Sequence, residues 1–265
     1  MPSPHQHKTR HRSILLPLAV AVGLGAGMSS PGALAWQPAG EDLAYEVDGE
    51  SFEGYLSKTE GEARGTVLII HDWDGIDDYE RKRADMIADM GYDAFAVDLY
   101  GEGNRPQETG AKKAETERLY KDRDRMQALT RAGAEFAREQ DVAGPAVIMG
   151  YCFGGAVVLE AARNGIVDDV RGYASFHGGL ATPEGQQWKD PEAPVLIAHG
   201  GADSMISMDD VASLSRELES VGATYEIEVY SGAPHAFTVF DTEAYQERAD
   251  RKSWQAFADL LDEAF

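Results

Sequence analysis

The strongest constraint on the fold is a short segment in the middle of the chain, where an apolar run over 147–149 breaks into Gly-Tyr-Cys-Phe-Gly over 150–154. A strand that enters a helix through so sharp a turn needs small residues two positions before and after its tip, because a Cβ there would collide with neighbouring backbone. Gly150 and Gly154 meet this need. Serine is the usual tip residue, so Cys152 indicates a thiol nucleophile, and such a thiol is expected to alkylate faster than a small-molecule thiol. The alternative is a buried structural cysteine.

The rest of the chain alternates between apolar runs of strand length and helical periodicity. Most runs are hydrophobic on both faces, as the strands of a helix-covered parallel sheet are. Between them, apolar residues recur at spacings of three and four and stop at Gly165 and Gly222, which suit helix C-caps. This alternation predicts an α/β fold with a mainly parallel sheet flanked by helices. The apolar runs cover 66–71, 93–99, 146–149, 172–176 and 195–199.

Two further strand-like segments, 44–47 and 52–56, come before this alternation. They are joined through Asp48-Gly49, a dipeptide that favours a tight hairpin turn because both residues tolerate a positive φ. We therefore expect an N-terminal β-hairpin at the edge of the sheet.

The first residues have the features of a secretion signal. A basic start precedes an apolar stretch over 14–28, and Ala33-Leu34-Ala35 offers a small-residue cleavage site. The stretch is short and rich in small residues for a membrane span, although a retained N-terminal anchor is the alternative. We predict a signal peptide over 1–35 and one α/β domain over 36–265, secreted or periplasmic and without stable membrane association after cleavage.

The charge of the chain excludes some partners. There are 24 Lys and Arg against 46 Asp and Glu, and loss of Lys8, Arg10 and Arg12 with the signal takes the formal charge from −22 to −25. So acidic a protein is a poor match for nucleic acid or an anionic membrane. With one cysteine there is no intramolecular disulfide, and an unpaired thiol in an exported protein calls for a role such as catalysis.

Three chemically active residues follow predicted strands, in the order Cys152, Asp203 and His235. Loops at the carboxyl ends of parallel strands form the active site in such sheets, so we expect the three side chains to meet. The order nucleophile, acid, histidine is the one that α/β-hydrolases use. His235 Nε2 would take the thiol proton and later protonate the leaving oxygen, while Asp203 would bind Nδ1–H. Taken alone, an aspartate after a strand is more often a turn residue than a catalytic one, and a histidine in a loop is more often a surface residue.

Several segments together resemble the dienelactone hydrolase family of α/β-hydrolases, and the resemblance covers essentially all of 36–265. It implies the α/β-hydrolase fold, a triad of Cys152, Asp203 and His235, and hydrolysis of cyclic or activated esters through an acyl-thioester. It implies no metal and no organic cofactor. The segments that carry it are 150–155 (GYCFGG), 199–203 (HGGAD), 233–237 (APHAF) and 91–101 (GYDAFAVDLYG).

The resemblance also assigns roles to the segment that follows the first buried strand. Asp72 stands where the family places a glutamate that interacts with the cysteine. The backbone N–H groups of Trp73 and Phe153 would form the oxyanion hole, in which loss of one donor typically costs about 10²–10³ in rate. We expect Asp74 to be a loop residue that faces water, and His71 to be a hydrogen-bonding group behind the site.

The substrate pocket departs from the family pattern. Val239 stands where the dienelactone enzymes have an arginine that holds the substrate carboxylate, and valine cannot form such a clamp. A neutral lactone or ester is therefore expected, in a pocket lined by Phe237 beside the aromatic residues already named. His177 either lines the same pocket or is a plain loop histidine. Arg123 and Arg125, in a charged helix before the elbow, are the alternative source of a cation.

The sequence thus predicts a cofactor-free hydrolase of small lactones or carboxylic esters that uses a cysteine acyl-enzyme. The alternatives are a thioesterase or general carboxylesterase on the same triad, and a hydrolase-fold binding protein with little turnover. Retention of Cys152, Asp203 and His235 weighs against the binding protein.

Overall fold

The computed structural model describes residues 36–140, 142 and 144–265. The predicted signal peptide, 1–35, lies outside the described residues. Within the part that is described, Gln37–Phe265 forms one compact unit. None of its helices is both long and apolar enough to cross a membrane.

The described residues contain eight strands in one sheet, in the order β1-β2-β4-β3-β5-β6-β7-β8. The six strands from β4 to β8 in this order are parallel to one another, whereas β2 pairs antiparallel with both β1 and β4. The strands are β1 (Glu41–Val47), β2 (Glu50–Ser57), β3 (Thr66–Ile70), β4 (Asp93–Val97), β5 (Ala146–Tyr151), β6 (Val170–Phe176), β7 (Val195–Gly200) and β8 (Tyr225–Tyr230).

The hairpin of β1 and β2 confirms the prediction for the N-terminal edge. Val47 pairs with Glu50, so the loop consists of Asp48 and Gly49 alone. Both loop residues have positive φ, 53° and 81°, which is the turn that matches the twist of a hairpin.

Helices cover both faces of the sheet. Alternate side chains of β3 and β4 point to opposite faces of the sheet, so each strand contributes residues to two separate apolar cores. One core packs against α1 and α6, and the other against α3, α4 and α5, with α2 contributing one buried leucine. The helices of the described part are α1 (Asp78–Asp89), α2 (Thr109–Lys121), α3 (Arg123–Glu139), α4 (Phe153–Asn164), α5 (Met208–Val221) and α6 (Glu247–Ala264).

Two helices end as the sequence predicts. Gly165 after α4 and Gly222 after α5 are both left-handed, with φ of 60° and 74°. Parallel pairing of β3, β5, β6, β7 and β8 brings the loops after these strands to one edge of the sheet, and the site lies there.

Candidate active site

Cys152 occupies the tip of the turn between β5 and α4. Its φ is 51°, in the left-handed region that a residue with a Cβ rarely adopts. A Cβ on Gly150 would lie 2.5 Å from the carbonyl of Gly154, and a Cβ on Gly154 would lie 2.2 Å from the carbonyl oxygen of Ile70. The two glycines are therefore needed for the backbone contacts that let the turn form, as their spacing predicts.

The structure brings Cys152, His235 and Asp203 into one hydrogen-bonded chain. His235 Nε2 lies 3.1 Å from the sulfur of Cys152, and its Nδ1 lies 2.8 Å from Oδ2 of Asp203. The other oxygen of this buried carboxylate accepts hydrogen bonds from the backbone N–H groups of Met205 and Ile206, at 2.8 and 3.0 Å. Because both carboxylate oxygens are held, the imidazole has a fixed partner and its Nε2 points at the thiol.

The thiol itself is held in its neutral form. Burial raises the pKa of the Cys152 thiol to about 12. The raised pKa therefore favours the thiol over the thiolate at position 152 at neutral pH. Since the thiolate is the form that alkylates, the raised pKa weighs against the faster alkylation that the sequence predicts.

Asp72 and Asp74 form a carboxyl pair beside the thiol. Burial, the hydrogen bond with Asp74 and the charge of Glu80 raise the pKa of Asp72 well above its usual range. Burial also tends to raise the pKa of Asp74, but hydrogen bonds from Asp72 and from the Lys112 ammonium, 2.7 Å away, lower it below its usual range. The two opposite shifts favour a proton on Asp72 beside an ionised Asp74. The prediction that Asp74 faces water is wrong, because two donors enclose it.

Asp72 does not hydrogen-bond to the thiol. Among the described residues, the hydrogen-bond partner found for the Cys152 sulfur is His235. One oxygen of Asp72 accepts the backbone N–H of Asp74 at 3.0 Å, which orients the carboxyl toward its own loop. Although several acids meet here, no group of His, Cys, Asp or Glu in the described part of the chain could hold a metal ion.

The two predicted oxyanion donors lie in the loop after β3 and at the start of α4. Phe153 is the first residue of α4, so its N–H has no acceptor within the helix, and it lies close enough to the Cys152 sulfur to favour the thiolate. Trp73 follows Asp72, and its carbonyl accepts a hydrogen bond of 3.2 Å from the Tyr100 hydroxyl. That bond fixes the peptide next to the Trp73 N–H.

His71 behaves as the hydrogen-bonding group that the sequence predicts. Its Nδ1–H donates to the carbonyl of Asp72 at 2.7 Å, and its Nε2 accepts the N–H of Leu99 at 3.2 Å. Burial lowers the pKa of His71, which keeps the ring neutral. The ring therefore ties the loop after β3 to the loop after β4.

Two of the three residues predicted to contact substrate are instead buried behind the site. The ring of Phe237 is fully buried in the core against Tyr230. His177, only 1% exposed, packs its ring edge-on 5.3 Å from that of His235 and shares a 2.8 Å hydrogen bond with the Thr238 hydroxyl. Both predictions are wrong for one reason: these loop residues turn inward and support His235. Val239 is half-buried and packs against the same core.

The two arginines offered as alternative cations differ in their surroundings. Arg125 pairs with Asp48 and Glu50 of the N-terminal hairpin, at 2.8 and 3.0 Å. Arg123, two residues earlier, hydrogen-bonds to the buried Glu160 at 2.6 Å and lines a cavity beside the elbow. No local sequence pattern links Arg123 with Glu160, since they lie on different helices.

An eight-stranded, mainly parallel sheet with a cysteine, a histidine and an aspartate joined at its strand ends defines the α/β-hydrolase fold class. The model of the dienelactone hydrolase family matches residues 52–265, and this chain belongs to that family.

Individual relatives agree with this assignment. Carboxymethylenebutenolidase of Pseudomonas putida is 29% identical over 215 residues, which cover 75% of this chain and 85% of that protein. A dienelactone hydrolase-like promiscuous phosphotriesterase from metagenomic libraries has a similar fold, with a TM-score of 0.77 and 23% identity over 85% of this chain and 98% of its own. A thermophilic esterase of Thermogutta terrifontis, solved with propionate bound, has a TM-score of 0.61 and 18% identity. The match covers 85% of this chain and 94% of the esterase.

Proposed function

We propose that the protein hydrolyses small carboxylic esters or lactones through an acyl-thioester on Cys152. The observation that carries the proposal is the hydrogen-bonded chain from Cys152 through His235 to the buried Asp203. Membership of a hydrolase family and the family's carboxymethylenebutenolidase relative support the reaction class.

In the first half-reaction the sulfur of Cys152 attacks the carbonyl carbon of the ester while His235 Nε2 takes the thiol proton. Since the raised pKa favours a neutral free thiol, this proton leaves as the carbon–sulfur bond forms. Asp203 accepts Nδ1–H and stabilises the imidazolium that results. The negative charge moves to the carbonyl oxygen, where the N–H groups of Trp73 and Phe153 would hold it.

The tetrahedral adduct then collapses to the thioester. The carbon–oxygen bond of the ester breaks, and His235 gives its proton to the departing alkoxide. In a simple ester this alcohol leaves; in a lactone it stays attached to the acyl group. A water molecule next gives a proton to His235 Nε2 while its oxygen attacks the thioester carbon. The carbon–sulfur bond then breaks, the acid is released, and His235 returns the proton to the sulfur, which restores the Cys152 thiol.

The neutral Asp72 has a different part in this proposal. A second ionised carboxylate next to the thiol would oppose transfer of negative charge to sulfur. Sharing a proton between Asp72 and Asp74, with Lys112 beside them, limits that opposition. Asp72 therefore acts through the charge near the thiol and not as its hydrogen-bond partner.

An activity panel of lactones, aryl esters and thioesters tests the proposal. Wild type is expected to hydrolyse esters or lactones, and Cys152→Ala to have no measurable turnover with an unchanged circular dichroism spectrum. Faster turnover of thioesters than of esters would favour the thioesterase alternative. A folded wild type that binds ligands without turning any of them over would favour the binding-protein alternative.

Export is part of the proposal as well. It rests on the basic start, the apolar stretch and Ala33-Leu34-Ala35. Expression with the full leader in a Gram-negative host, followed by intact-mass measurement of the periplasmic fraction, is expected to give a chain that starts at Trp36. An uncleaved chain that fractionates with membranes would favour the retained anchor.

A further inference from the structure

His71, the first residue after β3, is fully buried where the loop after β3 meets the nucleophile turn. Its ring lies 4.5 Å from the ring of Tyr100 and 6.1 Å from that of Phe153, whose N–H is one predicted oxyanion donor. Its carbonyl oxygen faces the turn itself, since a Cβ on Gly154 would lie 2.5 Å from it. The imidazole is therefore packed against the residue that carries one donor and lies two positions before Trp73, which carries the other.

The two nitrogens of the His71 ring have fixed roles. A backbone N–H can only donate, so the N–H of Leu99, 3.2 Å from Nε2, requires a nitrogen without a proton there. A carbonyl oxygen can only accept, so the oxygen of Asp72, 2.7 Å from Nδ1, requires the proton on that nitrogen. Both contacts select the same neutral tautomer, with its proton on Nδ1.

The loop that supplies the Leu99 N–H is itself held by the sheet. The neighbouring Asp98 carboxylate is fully buried, and one of its oxygens accepts the N–H groups of Tyr100 and Gly101 at 2.9 and 3.2 Å. Its other oxygen accepts the N–H of Glu53, in β2, at 3.0 Å. The imidazole is therefore fastened at Nε2 to a braced loop, from which its Nδ1–H can hold the loop after β3.

The carbonyl that accepts from His71 belongs to the peptide that carries the Trp73 N–H. The Asp72 carbonyl and the Trp73 N–H are the two ends of one planar amide, so a hydrogen bond at the oxygen also fixes the direction of the N–H. Such a bond polarises the amide and strengthens its N–H as a donor, by about 10–30% per bond. The Tyr100 hydroxyl cannot replace this effect, because it bonds to the Trp73 carbonyl, which belongs to the next peptide.

We propose that His71 is a positioning residue of the oxyanion hole, which holds and polarises the Trp73 amide through the Asp72 carbonyl. This inference rests on the proposed ester hydrolysis, in which the Trp73 N–H stabilises negative charge on the substrate carbonyl oxygen. That charge develops only on the way to the tetrahedral adduct. Loss of the His71 contact should therefore lower kcat and leave KM nearly unchanged.

Two substitutions separate the two hydrogen bonds of the ring. The amide of His71→Asn lies near the former Nδ1 and can still donate to the Asp72 carbonyl, whereas the amide of His71→Gln lies near the former Nε2 and keeps only the contact with Leu99. For 4-nitrophenyl acetate, His71→Gln should lower kcat by about tenfold, part of the 10²–10³ that loss of a whole donor typically costs, with KM within about twofold. His71→Asn should keep kcat within about threefold of wild type. Equal losses in the two variants, or a larger loss in His71→Asn, would overturn the inference.

Nuclear magnetic resonance tests the polarisation without turnover. The ¹⁵N shift of a backbone amide responds to a hydrogen bond at the preceding carbonyl, so His71→Gln should move the Trp73 resonance upfield and His71→Asn should not. Tyr100→Phe is the matched control, since its lost bond should move the Asp74 resonance and leave that of Trp73 in place. In wild type, the ring ¹⁵N shifts of His71 should show the proton on Nδ1. A proton on Nε2 would overturn the inference whether or not the variants fold.

Failure of this inference is distinct from failure of the proposed function. A wild type that hydrolyses the ester, with kcat equal in His71→Gln and His71→Asn at equal thermal stability, would refute the role of His71 and leave ester hydrolysis intact. If wild type does not hydrolyse the ester, the proposed function fails and the amide resonances still decide. A Trp73 resonance that moves in His71→Gln alone supports the polarisation, and one that stays in place in both variants refutes it.

Discussion

Nδ1 of His235 lies 2.8 Å from Oδ2 of Asp203, a carboxylate whose side chain is fully buried. This contact holds the imidazole in the tautomer that leaves Nε2 free to take the thiol proton. Asp203→Asn should therefore lower kcat by about 10⁴, the usual effect of losing this carboxylate in a triad. Steady-state kinetics on an aryl ester measures the loss.

Asp209, in the exposed first turn of α5, provides the control for that change. Asp209→Asn should leave kcat within about twofold, because surface changes of this kind have small effects. Equal losses in the two variants would mean that Asp203 is not the acid of the triad.

Asp72→Asn should be far milder than Asp203→Asn. Because the raised pKa of Asp72 favours its neutral form next to Asp74, an amide of the same shape should replace it with little change in charge. We expect kcat/KM to change by about threefold or less, which is under 1 kcal/mol in the barrier. A hundredfold loss at neutral pH would instead identify Asp72 as an ionised group that takes part in proton transfer.

Alkylation of Cys152 should be slow at neutral pH and should accelerate as the pH rises. Burial raises the pKa of the thiol to about 12, so the thiolate fraction still grows about tenfold per pH unit between pH 7 and 10. A small-molecule thiol with a pKa near 8.5 levels off within that range. Mass spectrometry of iodoacetamide adducts gives both rates, and a plateau for Cys152 below pH 8 would contradict the neutral resting thiol.

Gly154→Ala should destabilise the protein by at least about 3 kcal/mol, because the new Cβ would lie 2.2 Å from the Ile70 carbonyl oxygen, which is backbone and cannot move aside. Gly110→Ala is the matched control. It lies in α2 with open space around it, and alanine there should raise the free energy of unfolding by up to about 1 kcal/mol. Denaturant unfolding measures both, and equal stability of the two variants would remove the steric explanation of the elbow.

The parts of the site that the sequence predicts are those fixed by local sterics or by topology. Gly150 and Gly154 are demanded by backbone contacts within one turn, so their spacing reveals the elbow. Asp203 and His235 follow strands that parallel pairing brings together, so their order along the chain is enough.

The parts that sequence analysis misses depend on packing between distant segments. Lys112 reaches Asp74 from a helix 38 residues away and helps to enclose a carboxyl pair that the sequence alone would leave as loop residues in water. The inward turn of Phe237 and His177 is set by the core beneath them, which no pattern in their own loop records. The grouping of Arg123 with Glu160 likewise arises only when α3 packs on α4.

The most direct test of the account is to trap the acyl group on Cys152. Wild type mixed with excess 4-nitrophenyl acetate and quenched in acid within the first turnovers should give, after digestion, a peptide containing Cys152 that is heavier by one acetyl group. Hydroxylamine should remove that group, as it does from thioesters, and Cys152→Ala should show neither the adduct nor turnover. Continued turnover in Cys152→Ala would contradict a cysteine nucleophile. So would an acetyl group that forms on another residue and is then released as product.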